Sequence, residues 1–153
     1  MCSSDLNTKL WFESEKDLCG RKVATQTGSS AAISLERANR ETCPAGKKIA
    51  VMGHANFNEA VRQLRKNAAE AAFVDWPFAN YLAQMVPDLA LGSPILADAP
   101  GRPRNKQGIV VRKGDSETAT ALADALARIQ ASGEYETILA KWNLSDGYIR
   151  RDQ

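Results

Sequence analysis

No stretch of this chain stays apolar for the roughly 20 residues that a bilayer-spanning helix needs. No block of Lys and Arg stands in it, and no basic stripe interleaved with aromatics, so nucleic-acid binding has no footprint. The net charge is only +2 over 153 residues and says little about partners. One histidine, His54, and three cysteines without a C-x-x-C pair give no zinc pattern, so neither a metal nor a cofactor is expected. There is no internal repeat, no low-complexity segment and no secretory leader at the start. Residues 1–6, Met1-Cys2-Ser3-Ser4-Asp5-Leu6, match the translation of the end of a common sequencing adapter. The expectation is therefore that they are artefact and that the reading frame extends upstream. On that expectation the missing leader says nothing about location, and Cys2 is neither lipid anchor nor disulfide partner.

What is present is ordinary globular material. Hydrophobic residues make up 44% of the chain and charged residues 25%, and the length suffices for one domain with a real core. Residues 22–26 read as a short strand broken by Gly28, followed by a helix over about 30–40 with Ile33 and Leu35 among its apolar residues. A turn at Thr42-Cys43-Pro44-Ala45-Gly46 leads to a second strand over 48–52. Asn56 and Glu59 form a capping-box pattern before a helix whose Phe57, Ala60, Val61 and Leu64 share one stripe. A third strand over 71–74 is wholly apolar, as in a sheet covered on both faces. A helix follows over 76–85 with Pro77 in its first turn, and 89–91 reads as a fourth short strand. After a Pro/Gly loop at 98–105 comes an extended segment at 108–112. An amphipathic helix at 116–131 then carries Ala119, Leu122, Ala123, Leu126 and Ile129 on one face. Beyond Gly133 a last helix carries Tyr135, Ile138, Leu139 and Trp142 on its stripe, where a core role is expected for Tyr135 and Trp142. The order βαβαβα predicts an α/β fold with a parallel sheet, while the final helical pair has no strands of its own to pack on.

Cys19 and Cys43 precede the first and second strands, and in a parallel sheet both strand starts lie at one edge. Their sulfurs can therefore meet, closing a loop that contributes roughly 3 kcal/mol in an oxidising compartment. Two free, half-buried thiols are the alternative.

Two segments answer each other. Asp17-Leu18-Cys19-Gly20-Arg21-Lys22-Val23-Ala24-Thr25-Gln26-Thr27-Gly28-Ser29-Ser30 runs from strand into helix start and offers free N–H groups and hydroxyls, which suit an anion. Glu70-Ala71-Ala72-Phe73-Val74-Asp75 does the same and offers a carboxylate, which suits a cation. Facing one crevice, the two turns could hold the carboxylate and ammonium of an amino acid, and they favour transport over catalysis. Each has a plainer reading, as a Ser N-cap and an Asp N-cap. Trp76 beside Asp75 could line the crevice or sit in the core. His54 is expected to be structural or solvated, and Arg102, Arg104 and Lys106 to be a solvated face or a permease contact.

These two segments, with Gly108-Ile109-Val110-Val111-Arg112-Lys113-Gly114-Asp115 and Ser132-Gly133-Glu134-Tyr135-Glu136-Thr137-Ile138-Leu139-Ala140-Lys141-Trp142, stand in the order of the bacterial family-3 amino-acid solute-binding proteins. Over about residues 16–142 the chain resembles the second lobe and C-terminal tail of that family, the periplasmic receptors of ABC importers. The resemblance implies a fragment of a type 2 periplasmic-binding-protein fold. Residues 1–16 would be adapter artefact, linker and incoming hinge, 17–105 lobe two, and 106–153 the returning hinge and a helical pair belonging to lobe one. It implies a non-enzymatic, monomeric receptor that binds a polar amino acid between two lobes and delivers it to a membrane permease. The receptor would lie in the periplasm, or outside a Gram-positive cell on a membrane tether. Asp75 would pair with the ligand ammonium, and Thr27, Gly28, Ser29 and Ser30 would meet its carboxylate, with Trp76 alongside. The first part of lobe one, which would hold the family's carboxylate-clamping Arg, has no counterpart here. Alternatives on the same fold are a cyclohexadienyl dehydratase-like enzyme and the ligand-sensing module of a receptor kinase.

Overall fold

The computed structural model describes residues 2–3, 12, 14–92 and 108–147. They fall into two compact units, Met1–Arg102 and Pro103–Gln153. Arg102, Arg104 and Lys106 lie outside the described residues.

In the first unit, strand β1 (Cys2–Ser3) is followed by β2 (Lys22–Gln26), helix α1 (Ser30–Glu41), β3 (Ala50–His54) and α2 (Phe57–Arg65). Then come β4 (Ala71–Ala72), α3 (Trp76–Met85) and β5 (Ala90–Leu91). The sheet order is β3-β2-β4-β1-β5. β2 pairs in parallel with β3 and with β4, whereas β1 lies antiparallel between β4 and β5. The α/β architecture expected from the element order is present.

Alternation along the strands builds a core on each face of the sheet. Val23 and Ala71 join Phe12, Leu18, Leu35, Ala38, Cys43 and Ile49 on one side. Ala24 and Ala72 join Ala60, Val61, Leu64 and Ala79 on the other. The stripe read on α2 faces this second core, where Leu64 is fully buried, and Asn56 caps the helix by accepting the Glu59 N–H at 2.9 Å. On α1 the expectation splits: Leu35 is buried, but Ile33 is exposed.

Three strands differ from their expected bounds, β5 by a single residue, since it begins at Ala90 and not at Leu89. β3 begins at Ala50, not Lys48, because the Asn39 side chain brackets Ile49 and satisfies its backbone. Asn39 Nδ2 donates to the Ile49 carbonyl at 3.0 Å, and the Ile49 N–H donates to Asn39 Oδ1 at 2.7 Å. Lys48 Nζ meanwhile donates to the carbonyls of Asn39 and Cys43. β4 is only Ala71–Ala72, because the next carbonyl, that of Phe73, accepts from the Thr25 side chain and not from a ladder N–H.

The second unit holds helices α4 (Ser116–Ala131) and α5 (Glu134–Lys141), turned at Gly133 with φ +76°. The Asp115 side chain caps α4 by accepting the Thr118 N–H at 3.0 Å. Neither helix has a buried residue. The apolar stripes are where the spacing put them, but Trp142 is 55% exposed and takes no core position within this unit, because two helices alone cannot enclose both stripes. Residues 108–112 form no strand.

Candidate functional site

From β2 the chain passes to β3 on one side and later to β4 on the other. In an open α/β sheet such a reversal leaves a crevice beyond the carboxyl ends of the strands. β2 and β4 run out at that point, and the two segments singled out above end there.

Thr27 extends β2 by one bond, its N–H donating to the His54 carbonyl at 2.9 Å. Gly28 follows with φ +74°, a left-handed conformation that a side chain would strain. That turn places Ser29 at the N-cap of α1. The Ser29 hydroxyl accepts the Ala32 N–H at 3.2 Å and donates to the Gln26 carbonyl at 2.7 Å. The Ser29 N–H also points to Gln26, at 3.3 Å. Both donors of Ser29 are thus engaged inside the turn, as in the plainer N-cap reading. The hydroxyls of Thr27 and Ser30, and the N–H groups of Gly28, Ser30 and Ala31, have no hydrogen-bond partner among the described residues. They cluster at the positive end of a twelve-residue helix, an arrangement that attracts an anion.

Across the reversal, Ala24 and Ala72 are register partners. Thr27 lies three residues beyond Ala24, and Asp75 three residues beyond Ala72. The two segments therefore leave the sheet from one rung. Asp75 occupies the N-cap position of α3, and its carbonyl accepts the Ala79 N–H at 3.0 Å. Its half-buried carboxylate neither caps the helix nor joins an ion pair among the described residues. Trp76 is half-buried at the first helical position, and its indole Nε1 is buried without a partner. His54 ends β3, with its Nε2 likewise buried and unpartnered.

Two residues that sequence reasoning passed over shape this edge. Thr25, fully buried, ties β2 to the chain beyond β4 through its Oγ1. A Thr next to the apolar Val23-Ala24 pair at the centre of the strand was the available signal. Gly53 lies against Thr27, so closely that an added Cβ would stand 2.5 Å from Thr27 Oγ1. A glycine inside a strand marks such a close approach.

The opposite edge of the sheet is stitched covalently and ionically. Cys19 and Cys43 form a disulfide with Cα atoms 5.4 Å apart. Arg21 and Glu70 form an ion pair at 2.8 Å, and Glu70 also accepts the Lys22 N–H at 2.9 Å. The Arg21 guanidinium, then that N–H, hold the Glu70 carboxyl below its ordinary range. Among the described residues no His/Cys/Asp/Glu group is arranged for a metal ion, and no helix is long and apolar enough to cross a membrane.

Free donors at one helix start and a free carboxylate at the next can receive opposite charges on one small molecule. Known structures share the frame that carries them. A Salmonella typhimurium periplasmic binding protein with high arginine specificity superposes with a TM-score of 0.66 at 23% identity, over 92% of this chain and 58% of that one. The fold is that of the periplasmic amino-acid-binding proteins. Domain 2 of an arginine-binding protein from T. maritima, taken alone, superposes with a TM-score of 0.53 at 22% identity, over 61% of this chain and 94% of the domain. In sequence, the chain is 50% identical over 40 residues to a probable histidine-binding protein of Neisseria gonorrhoeae, a match covering 26% of this chain and 15% of that protein. No protein-family model matches the chain. The chain thus spans little more than half the length of the Salmonella neighbour, and its sequence match spans a small part of the histidine-binding relative. The resemblance read from the four motifs agrees with these neighbours, which are binding proteins and not enzymes.

Proposed function

We propose that this chain is the ligand-binding lobe and tail of an extracytoplasmic solute-binding component of an ABC importer, and that its solute is a polar amino acid or a close derivative. The observation that carries this reading is the complementary pair of unpartnered groups at the sheet reversal. Gly28, Ser30 and the Thr27 hydroxyl donate to the ligand carboxylate. Asp75 accepts from its ammonium, a charge-assisted bond of the strength needed to select amino acids. Trp76 lines the site beside Asp75, and Ser29 holds the turn as its cap. The arginine and histidine specificities of the neighbours support an amino acid as the solute class.

The ligand is held between two lobes that close by hinge motion, and the loaded receptor, a monomer, docks on a membrane permease. No covalent step is involved. The test is calorimetric titration of the complete receptor, with both lobes present, with free amino acids and with their N-acetyl and methyl-ester derivatives, this chain alone being expected to bind poorly because half the cleft is missing. Binding of the zwitterion alone is expected. Equal binding of a blocked derivative would remove either Asp75 or the Thr27–Ser30 turn from the site.

A further inference from the structure

Gly53 sits in β3, paired with Thr25 of β2 and one residue before the His54 carbonyl that accepts the Thr27 N–H. A Cβ built on it would lie 2.5 Å from Thr27 Oγ1, 3.6 Å from Thr27 Cβ and 4.0 Å from Thr27 Cα. The first of these is closer than real Cβ atoms come. The backbone of Gly53 is not in the left-handed region, so its conformation alone would accept alanine. The requirement for glycine here comes from the neighbour and not from φ.

Thr27 is β-branched, and turning χ1 puts at the crowded place either its methyl, which is no smaller than the hydroxyl, or its hydrogen. Its main chain is tied to His54 on one side and leads into Gly28, at φ +74°, on the other. Relief of the clash therefore either turns the Thr27 hydroxyl out of its place among the donors or moves the turn that presents the Gly28 and Ser30 donors.

We propose that Gly53 is a positioning residue for the anion-binding turn: by lacking a side chain it lets Thr27 lie flat on β3 and sets where the Thr27–Ser30 donors stand relative to Asp75. This rests on the amino-acid-binding reading given above. Gly53 touches no ligand and acts only through Thr27.

The test is a double-mutant cycle with two readouts, the amide NMR shifts of Thr27, Gly28 and Ser30 in free protein, and the calorimetric affinity for the best-bound amino acid. Gly53→Ala is expected to shift those amides and to weaken binding on the order of tenfold, while the far-UV spectrum is unchanged. In the Thr27→Ala background, where Oγ1 is gone, Gly53→Ala is expected to cost nothing further in affinity and to leave the turn amides where Thr27→Ala alone puts them. Unchanged affinity in Gly53→Ala overturns the proposal, as does an equal loss in both backgrounds. These measurements use the complete receptor, and failure of its unsubstituted form to bind any amino acid defeats the underlying reading and this proposal with it. That outcome is separable, because it appears before any substitution is made.

Discussion

Thr25 Oγ1 donates a 2.7 Å hydrogen bond to the carbonyl of Phe73, joining β2 to the chain beyond β4 at the point where the sheet reverses. Thr25 is fully buried, so this bond replaces water on both groups. It also sets the spacing of the two strand ends that carry Thr27 and Asp75. Thr25→Val keeps the shape and removes the donor. A lost buried bond of this kind costs about 1–3 kcal/mol. Urea unfolding measures it, and a loss below about 0.5 kcal/mol would mean that the Phe73 carbonyl is satisfied by other means.

Asp75 holds an N-cap position without capping, so its carboxylate is available to a ligand. Asp75→Asn is expected to weaken amino-acid binding by about 2–5 kcal/mol, as for one partner lost from a buried charge pair. The folding midpoint should move little, since no intramolecular bond of the carboxylate is lost. Calorimetry and thermal melts on the same samples separate the two effects. Unchanged affinity with a lowered midpoint would return Asp75 to a helix-capping role.

The Cys19–Cys43 bridge closes a loop with a sequence separation of 24 around β2 and α1. Chain-entropy arguments give it about 3 kcal/mol. Reduction with a phosphine should lower the melting temperature by several degrees at neutral pH. Identical melts with and without reductant would show that the loop is already ordered by its apolar contacts, among them Leu18 and Leu35.

Glu70 adds a dependence on acidity. Its carboxyl is held below the ordinary value of 4.5, first by the Arg21 hydrogen bond and then by the Lys22 N–H. A carboxylate with a depressed folded-state pKa stabilises the fold above the unfolded value, and that contribution fades as pH falls through the folded value. The ion pair is over a third exposed, so the effect is small. Glu70→Gln should leave a shallower fall in stability below about pH 4.5 than the unsubstituted protein has, with both curves parallel at neutral pH. Superimposable acid limbs would remove Glu70 from the account.

Much of this protein was legible in one dimension because its signals are local. The 3.6-residue spacing of Ala60, Val61 and Leu64, the Asn56 cap, Pro77 after Trp76, and Gly28 after β2 each act within a few residues of themselves. The bounds of β2 and α3 follow from such signals. So does the order of strand and helix that produces the reversal. The two turns were recognisable because anion and cation sites need particular groups at a helix start.

What only the tertiary structure decided depends on partners distant in sequence. Asn39 shortens β3 from ten residues away, and Thr25 ends β4 from 48 residues away. The Ser29 hydroxyl could serve a ligand or a cap, and it is engaged by Gln26 and Ala32. Asp75 could cap α3, and among the described residues its carboxylate is left without a partner. The demand for glycine at position 53 arises where Thr27 comes to rest on the neighbouring strand. Residue type and period fix which local structures form, because those are short-range preferences. Which polar groups remain unpaired, and so available to a ligand, is settled only when the strands meet and the internal hydrogen bonds have been taken.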